Sequence, residues 1–127
     1  MRLITLMLVA IGGAIGSVLR YLMSTGIYNL LGKDFPYGTL AVNVLGSFLI
    51  GFLSILILDR FGNYANEMRN LLLIGLLGGF TTFSSFSMET LNLIESGEMF
   101  RALLNVILSI ILCLFSVWIG VLLAREL

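Results

Sequence analysis

Long apolar runs separated by short polar segments make up most of this chain. With the charged residues taken as boundaries, the runs predict helices over about 3–31, 39–58, 70–95 and 102–124. Each run is long enough to cross a bilayer core of roughly 30 Å, which requires about 20 apolar helical residues. The pattern therefore predicts an all-α membrane protein with four transmembrane helices, forming a single transmembrane domain over residues 1–127.

The composition supports a membrane location and removes several classes of function. Hydrophobic residues make up 59% of the 127 positions and charged residues 11%, which is too little polar surface for a soluble globule. A formal net charge of zero gives no reason to expect a nucleic-acid partner. The chain has no histidine, which excludes histidine-dependent catalysis and histidine-ligated metals, so an enzyme is not expected. The single cysteine, Cys113, can form no intrachain disulfide.

Small residues recur at four-residue spacing inside the predicted spans. This spacing places two small side chains on one helix face and lets the backbones of neighbouring helices approach closely. Glycine is also common in membrane helices generally, so each pair taken alone is a weak signal. The pairs are Gly12 with Gly16, Gly13 with Ser17, Ser47 with Gly51, and Gly75 with Gly79.

Positive charges are nearly balanced between the two ends of a four-span chain. Four of them fall on the side of the termini, and three fall on or near the other side. A clear excess of Lys and Arg is needed to fix orientation, so this balance predicts insertion in both orientations and hence an antiparallel homodimer. A fixed orientation set by other features is the alternative. The first group is Arg2, Arg60, Arg69 and Arg125, and the second is Lys33, Arg101 and Arg20.

The third span is a poor helix former at a depth where helix is normally required. Adjacent glycines precede five hydroxyl residues and three phenylalanines within residues 78–89, which predicts a break near Gly78 and Gly79. Carbonyls freed by a break are tolerated where they are buried in protein or line a watery cavity, and they are hard oxygen ligands suited to a small cation. The break is therefore a candidate ion site.

Beyond the break, Ser84 and Ser87 share one helix face, and Phe83 and Phe86 share the adjacent one. Hydroxyl donors and the positive edges of aromatic rings can both contact an anion that has lost its water. Several weak donors suit conduction, because the ion must bind well enough to enter and weakly enough to leave. The alternative is that the rings pack against lipid and the hydroxyls bond back to their own helix.

Polar residues in the other spans extend these possibilities. Asn43 is either pore-facing or a link between helices, and Asn105, Ser109 and Ser116 lie on one stripe of the fourth span with the same two interpretations open. Arg20 either reaches head groups or supplies a positive charge at a vestibule. Glu89, at the end of the third span's uncharged stretch, either pairs with Arg20 or reaches water.

Three segments of the chain resemble the signature blocks of the Fluc (CrcB-type) fluoride channel family. They are residues 12–21, GGAIGSVLRY, residues 38–46, GTLAVNVLG, and residues 78–89, GGFTTFSSFSME. The resemblance implies a passive, fluoride-selective channel in the plasma or inner membrane of a prokaryote. It also implies an antiparallel homodimer with two pores, which exports fluoride and lowers its concentration in the cytoplasm.

The resemblance further implies roles for particular residues. Phe83 and Phe86 match the family's pore phenylalanines, Asn43 its pore-lining asparagine, and Ser84 and Ser87 hydroxyl positions near the polar track. The break at Gly78 and Thr81 matches backbone carbonyls that hold a structural sodium ion between two subunits.

Two rival functions are weighed against the channel. A small multidrug-type proton-coupled exporter is also a four-span dimer, but it needs an acidic residue in the membrane, and the first span has none. A non-transporting assembly subunit would use the small-residue faces, yet it would leave the hydroxyl and phenylalanine cluster of the third span without a purpose.

Overall fold

The computed structural model describes residues 2–127; Met1, which the predicted domain included, lies outside the described residues. The first two spans are continuous helices, α1 (Leu3–Leu31) and α2 (Tyr37–Arg60). The third span, Gly62–Glu95, is divided into α3 (residues 65–80) and α4 (Phe83–Glu95), and the fourth is α5 (Met99–Glu126). Among the described residues, four helical spans are long and apolar enough to cross a membrane, as predicted.

Helix α3 is wound unevenly. It begins as an α-helix over Ala65–Met68, continues as a π-helix over Arg69–Leu77 and closes with the turn Gly78–Phe80. The third span therefore becomes helical well before residue 70, where the apolar run begins. Charged and polar residues mark the edge of the apolar layer, but they do not prevent a helix from continuing beyond it.

The helices pack as two pairs, α1 against α3 and α2 against α5, with α2 also contacting both α1 and α3. Glycines allow the first pair to approach closely. A Cβ atom added at Gly79 would lie 2.7 Å from the carbonyl oxygen of Gly13, and one added at Gly12 would lie 2.8 Å from the amide nitrogen of Leu76. In the second pair, Gly51 faces Val117 and Gly120 faces Phe48. The small-residue faces are therefore helix contacts within one chain.

The break in the third span lies later than predicted. Gly78 and Gly79 are helical, and the two residues outside the helix are Thr81 and Thr82, both in extended conformations. The predicted interruption of the third span is present, two residues beyond the glycines near which it was expected, and Gly79 stays helical because its lack of a side chain serves close packing against α1. The helix ends where other groups replace its hydrogen bonds.

Candidate functional site

Asn43 on α2 forms hydrogen bonds with the backbone at the break in the third span. Its Oδ1 accepts a hydrogen bond of 2.8 Å from the backbone N–H of Thr82, and its Nδ2 donates one of 3.0 Å to the Thr82 carbonyl oxygen. The Thr82 hydroxyl in turn accepts a hydrogen bond from the N–H of Ser85 and caps α4. One side-chain amide thus bonds both the N–H and the C=O of Thr82, and the N–H gains a partner in place of the helical one it lacks at the break. Asn43 links helices and also lines a cavity.

The same hydrogen bonds free two carbonyls of the third span. In a continuous α-helix the N–H of Thr82 would bond to the carbonyl of Gly78, and that of Ser85 would bond to the carbonyl of Thr81. Here those N–H groups bond instead to Asn43 and to the Thr82 hydroxyl. Gly78 and Thr81 are also residues of the cavity wall. Neutral carbonyl oxygens of this kind suit a small hard cation.

A cavity of about 460 Å³ lies beside the break. It is mostly apolar, and its polar wall residues come from α2, the break and α5. A site of this kind, apolar with a few placed polar groups, is the usual form of a small-ligand site. Its lining residues are Asn43, Gly46, Ser47, Ile50, Leu73, Leu77, Gly78, Thr81, Thr82, Phe83, Phe86, Ser109, Ile110, Cys113 and Leu114.

The two phenylalanines of the predicted pore lie side by side on this cavity. Their ring centroids are 5.3 Å apart and the planes are inclined by 45°. Phe86 is half-buried, whereas Phe83 is 77% exposed at the start of α4. The tilt presents ring edges as well as faces, and ring edges carry the positive part of the aromatic quadrupole.

The two serines of the predicted site lie elsewhere. Neither Ser84 nor Ser87 lines the cavity, and both are exposed on α4. The hydroxyl of Ser87 donates to the carbonyl of Phe83 at 3.0 Å, and that of Ser84 lies 3.3 Å from the hydroxyl of Thr82. The backbone bond that the sequence left open as an alternative is therefore present for Ser87.

The polar stripe on α5 is only partly connected. Asn105 is 1% exposed; its Nδ2 donates to the Thr90 hydroxyl at 2.9 Å, and its Oδ1 accepts from Ser109 at 3.4 Å. The Thr90 hydroxyl donates to the carbonyl of Phe86 at 2.7 Å. This series of hydrogen bonds joins the cavity residue Ser109 to α4, the helix that carries Phe86. Ser116 does not line the cavity.

Arg20 and Glu89 have different partners from those considered for them. The Nε atom of Arg20 donates a 3.0 Å hydrogen bond to the carbonyl oxygen of Gly79, at the end of α3. The carboxylate of Glu89 accepts hydrogen bonds from the hydroxyls of Tyr28 and Thr39, the latter at 2.5 Å. Arg20 and Glu89 are therefore not paired with each other, and the vestibule role of Arg20 stays a prediction.

Three residues of this region escaped the sequence analysis: Tyr28, Thr39 and Thr82. A carboxylate near the end of a span must find donors, since an unpaired buried charge is costly. Tyr28 and Thr39 are hydroxyl residues near the ends of α1 and α2 that border the same connector, and this was the available signal. Glu89 and Tyr28 also line a second cavity of about 590 Å³, which includes Lys33 and Arg101.

Comparison with known proteins identifies relatives along almost the whole chain. The profile of the family described as "CrcB-like protein, Camphor Resistance (CrcB)" matches residues 7–121. A protein of Coxiella burnetii named "Fluoride-specific ion channel FluC" is 54% identical over 121 residues, covering 95% of this chain and 98% of that protein. A protein of the same name from Geobacter sulfurreducens is 52% identical over 123 residues, covering 97% and 98%.

A longer relative also matches. The protein of that name from Methylococcus capsulatus is 52% identical over 124 residues, which are 98% of this chain but 54% of that protein, so this chain spans about half its length. With the family profile matching most of the chain and identities above half over nearly all of two relatives, the chain belongs to the CrcB family.

Proposed function

We propose that this chain is a fluoride-specific ion channel that lets fluoride leave the cytoplasm passively and so lowers its concentration there. The observation that carries the proposal is the pair of adjacent rings, Phe83 and Phe86, on a cavity that also includes Asn43 and Ser109. The relatives named as fluoride-specific channels support the same ion. The channel is a multi-pass protein of a prokaryotic cell membrane and is not an enzyme.

The chemistry of the cavity suits an anion that must shed tightly bound water and then leave. The cavity offers two uncharged hydrogen-bond donors, the second N–H of the Asn43 amide and the Ser109 hydroxyl. It also offers the positive edges of two aromatic rings. None of them carries a full charge, so the ion is stabilised without being trapped. The hydrogen bond from Ser109 to Asn105 is long, at 3.4 Å, and the hydroxyl can turn towards the cavity at little cost.

The functional unit in this proposal is an antiparallel homodimer. Two features support an incomplete site in one chain: Phe83 is 77% exposed, and the carbonyls of Gly78 and Thr81 have lost their helical donors at the break. Hydrogen bonds from Arg60 to Leu127 and from Arg101 to Asp34 mark the two ends of the bundle. Arg20 lies inside the span, leaving four positive charges at one end and two at the other. This difference is small enough for both orientations to be used.

A structural sodium ion between the two copies is a further part of the proposal. The carbonyls of Gly78 and Thr81 have lost their helical donors, and both residues line one cavity, which fits a cation held by neutral oxygens. Two carbonyls from each copy would supply four ligands. Bound there, the ion would stabilise the broken ends of two helices against each other.

The rival functions lack comparable support. Helix α1 carries no acidic residue on which a proton-coupled exporter could work. A subunit with only an assembly role would not need adjacent aromatic rings beside an amide and a hydroxyl on one cavity.

Flux from liposomes tests the proposal. Vesicles that contain the purified protein are loaded with potassium fluoride and diluted into fluoride-free buffer, and a potassium ionophore then allows charge to balance. We expect fluoride release that depends on the ionophore, and no release from matched chloride-loaded vesicles. Equal chloride release, or no fluoride release from protein that elutes as a folded species, would refute the assignment.

A further inference from the structure

Arg20 lies inside the membrane-spanning part of α1, against the end of α3. It lies eleven residues before the end of α1 at Leu31, about 16 Å along the helix at 1.5 Å per residue, and is half-buried. Its Nε donates to the carbonyl oxygen of Gly79 at 3.0 Å, 59 residues away in sequence. A guanidinium does not lose its charge in proteins. A permanent positive charge is therefore fixed at the break of the third span.

The position of this charge matters for the two freed carbonyls. Gly78 immediately precedes the residue that Arg20 binds, and Thr81 follows it two residues later. The carbonyl ends of a helix carry partial negative charge, which favours a cation nearby. Arg20 donates a hydrogen bond to one of these carbonyls, that of Gly79. Its charge influences the neighbouring carbonyls of Gly78 and Thr81 by electrostatic interaction alone. Any cation held by Gly78 and Thr81 is repelled by it.

Repulsion between two charges grows with their product, so a divalent cation is opposed twice as strongly as a monovalent one. The groups that would attract the cation are neutral carbonyls. Residues 2–127 contain no cluster of acidic, histidine or cysteine residues that could hold a metal ion. Calcium sites in proteins normally include carboxylates that offset the ion's charge. A site with neutral ligands and a nearby guanidinium lacks that compensation.

We propose that Arg20 is the specificity-determining residue of the cation site: its charge, fixed on Gly79, restricts the carbonyls of Gly78 and Thr81 to monovalent cations and excludes divalent ones. This inference rests on the proposed sodium site. It assigns Arg20 a role in the cation site that is separate from any contact with fluoride.

The test compares cation-dependent thermal stability of the purified full-length protein in detergent. Midpoints of unfolding are measured in N-methylglucamine chloride with added NaCl or CaCl₂. For the wild type we expect stabilisation by sodium and none by calcium at equal concentration. Arg20→Gln removes the charge but keeps an amide donor for the Gly79 carbonyl. In this variant we expect calcium to stabilise, and the half-maximal sodium concentration to fall about tenfold.

Two further variants keep the proposal open to refutation. Arg20→Lys retains the charge, so it should be stabilised by sodium and not by calcium. This measurement remains possible if Arg20→Gln does not fold. Stabilisation of Arg20→Lys by calcium overturns the proposal. Arg60→Gln is the matched control, because Arg60 donates to the Leu127 carbonyl at the far end of the bundle and should leave the cation response unchanged.

The outcomes separate this inference from the channel assignment. An unchanged cation ranking in a folded Arg20→Gln overturns the role of Arg20. Absence of any sodium response in the wild type overturns the role of Arg20 together with the sodium site. Fluoride flux measured on the same preparations then decides whether the channel assignment still stands.

Discussion

The side-chain amide of Asn43 donates to the backbone carbonyl of Thr82 and accepts from its backbone N–H, 39 residues away in sequence. This pairing allows a membrane helix to stop in the middle of a span without leaving Thr82 unsatisfied. It also holds α2 against the break, so that Asn43, the two phenylalanines and the two residues with freed carbonyls, Gly78 and Thr81, line one cavity.

Asn43→Asp retains an acceptor for the Thr82 N–H but places a carboxylate oxygen against the Thr82 carbonyl. We expect the loss of one hydrogen bond and the new repulsion to lower the free energy of unfolding by about 1–3 kcal/mol. Fluoride flux should fall at least about tenfold, because a negative charge then lies on the anion's route. Thermal unfolding and liposome flux measure the two effects.

The control for this change is Asn63→Asp, at an exposed position in the connector before α3. Flux and stability close to wild type are expected there. Wild-type flux in Asn43→Asp would show that Asn43 does not face the conducted ion.

Phe83→Ile and Phe86→Ile replace a ring edge by an aliphatic surface of comparable bulk. Each should reduce fluoride flux about tenfold or more while the protein remains folded, since no positive edge is left for the anion. Phe115→Ile is the matched control: Phe115 is 53% exposed on α5, pairs with Trp118 and does not line the cavity. Wild-type rates in both cavity variants would mean that the rings only pack.

Gly79→Ala introduces a methyl group 2.7 Å from the Gly13 carbonyl oxygen, where backbone meets backbone and neither can yield easily. We expect α1 and α3 to separate locally, lowering the unfolding free energy by about 1–3 kcal/mol. A shift in the midpoint of thermal unfolding checks this. Gly26→Ala is the control, because a Cβ there meets no atom within 4 Å; equal destabilisation by both changes would contradict the packing argument.

Tyr28→Phe removes one of the two hydroxyl donors to the Glu89 carboxylate. Hydrogen bonds to charged groups contribute about 1.5–3 kcal/mol, and we expect a loss of stability in that range. Tyr21→Phe is the matched control on the same helix, with a side chain 67% exposed. The midpoints of thermal unfolding of the two variants are compared. Equal midpoints would show that the hydrogen bond from the Tyr28 hydroxyl to Glu89 does not contribute to stability.

Local pattern determined much of this protein. Four long apolar runs specify four spanning helices, because unpaired backbone groups are too costly in lipid for any other structure. Small residues at four-residue spacing correctly marked close helix faces, and the cluster after Gly79 marked where the helix would be interrupted. The phenylalanine pair was found from its spacing and its resemblance to a family, and both rings lie on one cavity.

Only the tertiary structure decided which residues meet across the bundle. The sequence indicated a break, but its position depends on Asn43, which lies 39 residues earlier and supplies the hydrogen bonds that the helix gives up at Thr82. Arg20 illustrates the same limit: its length and charge suggested head groups or a vestibule, whereas its partner is a carbonyl on another helix. Helical periodicity reports the face on which a residue lies, and hydrogen-bond partners between helices depend on rotation and depth, which are set when the bundle packs.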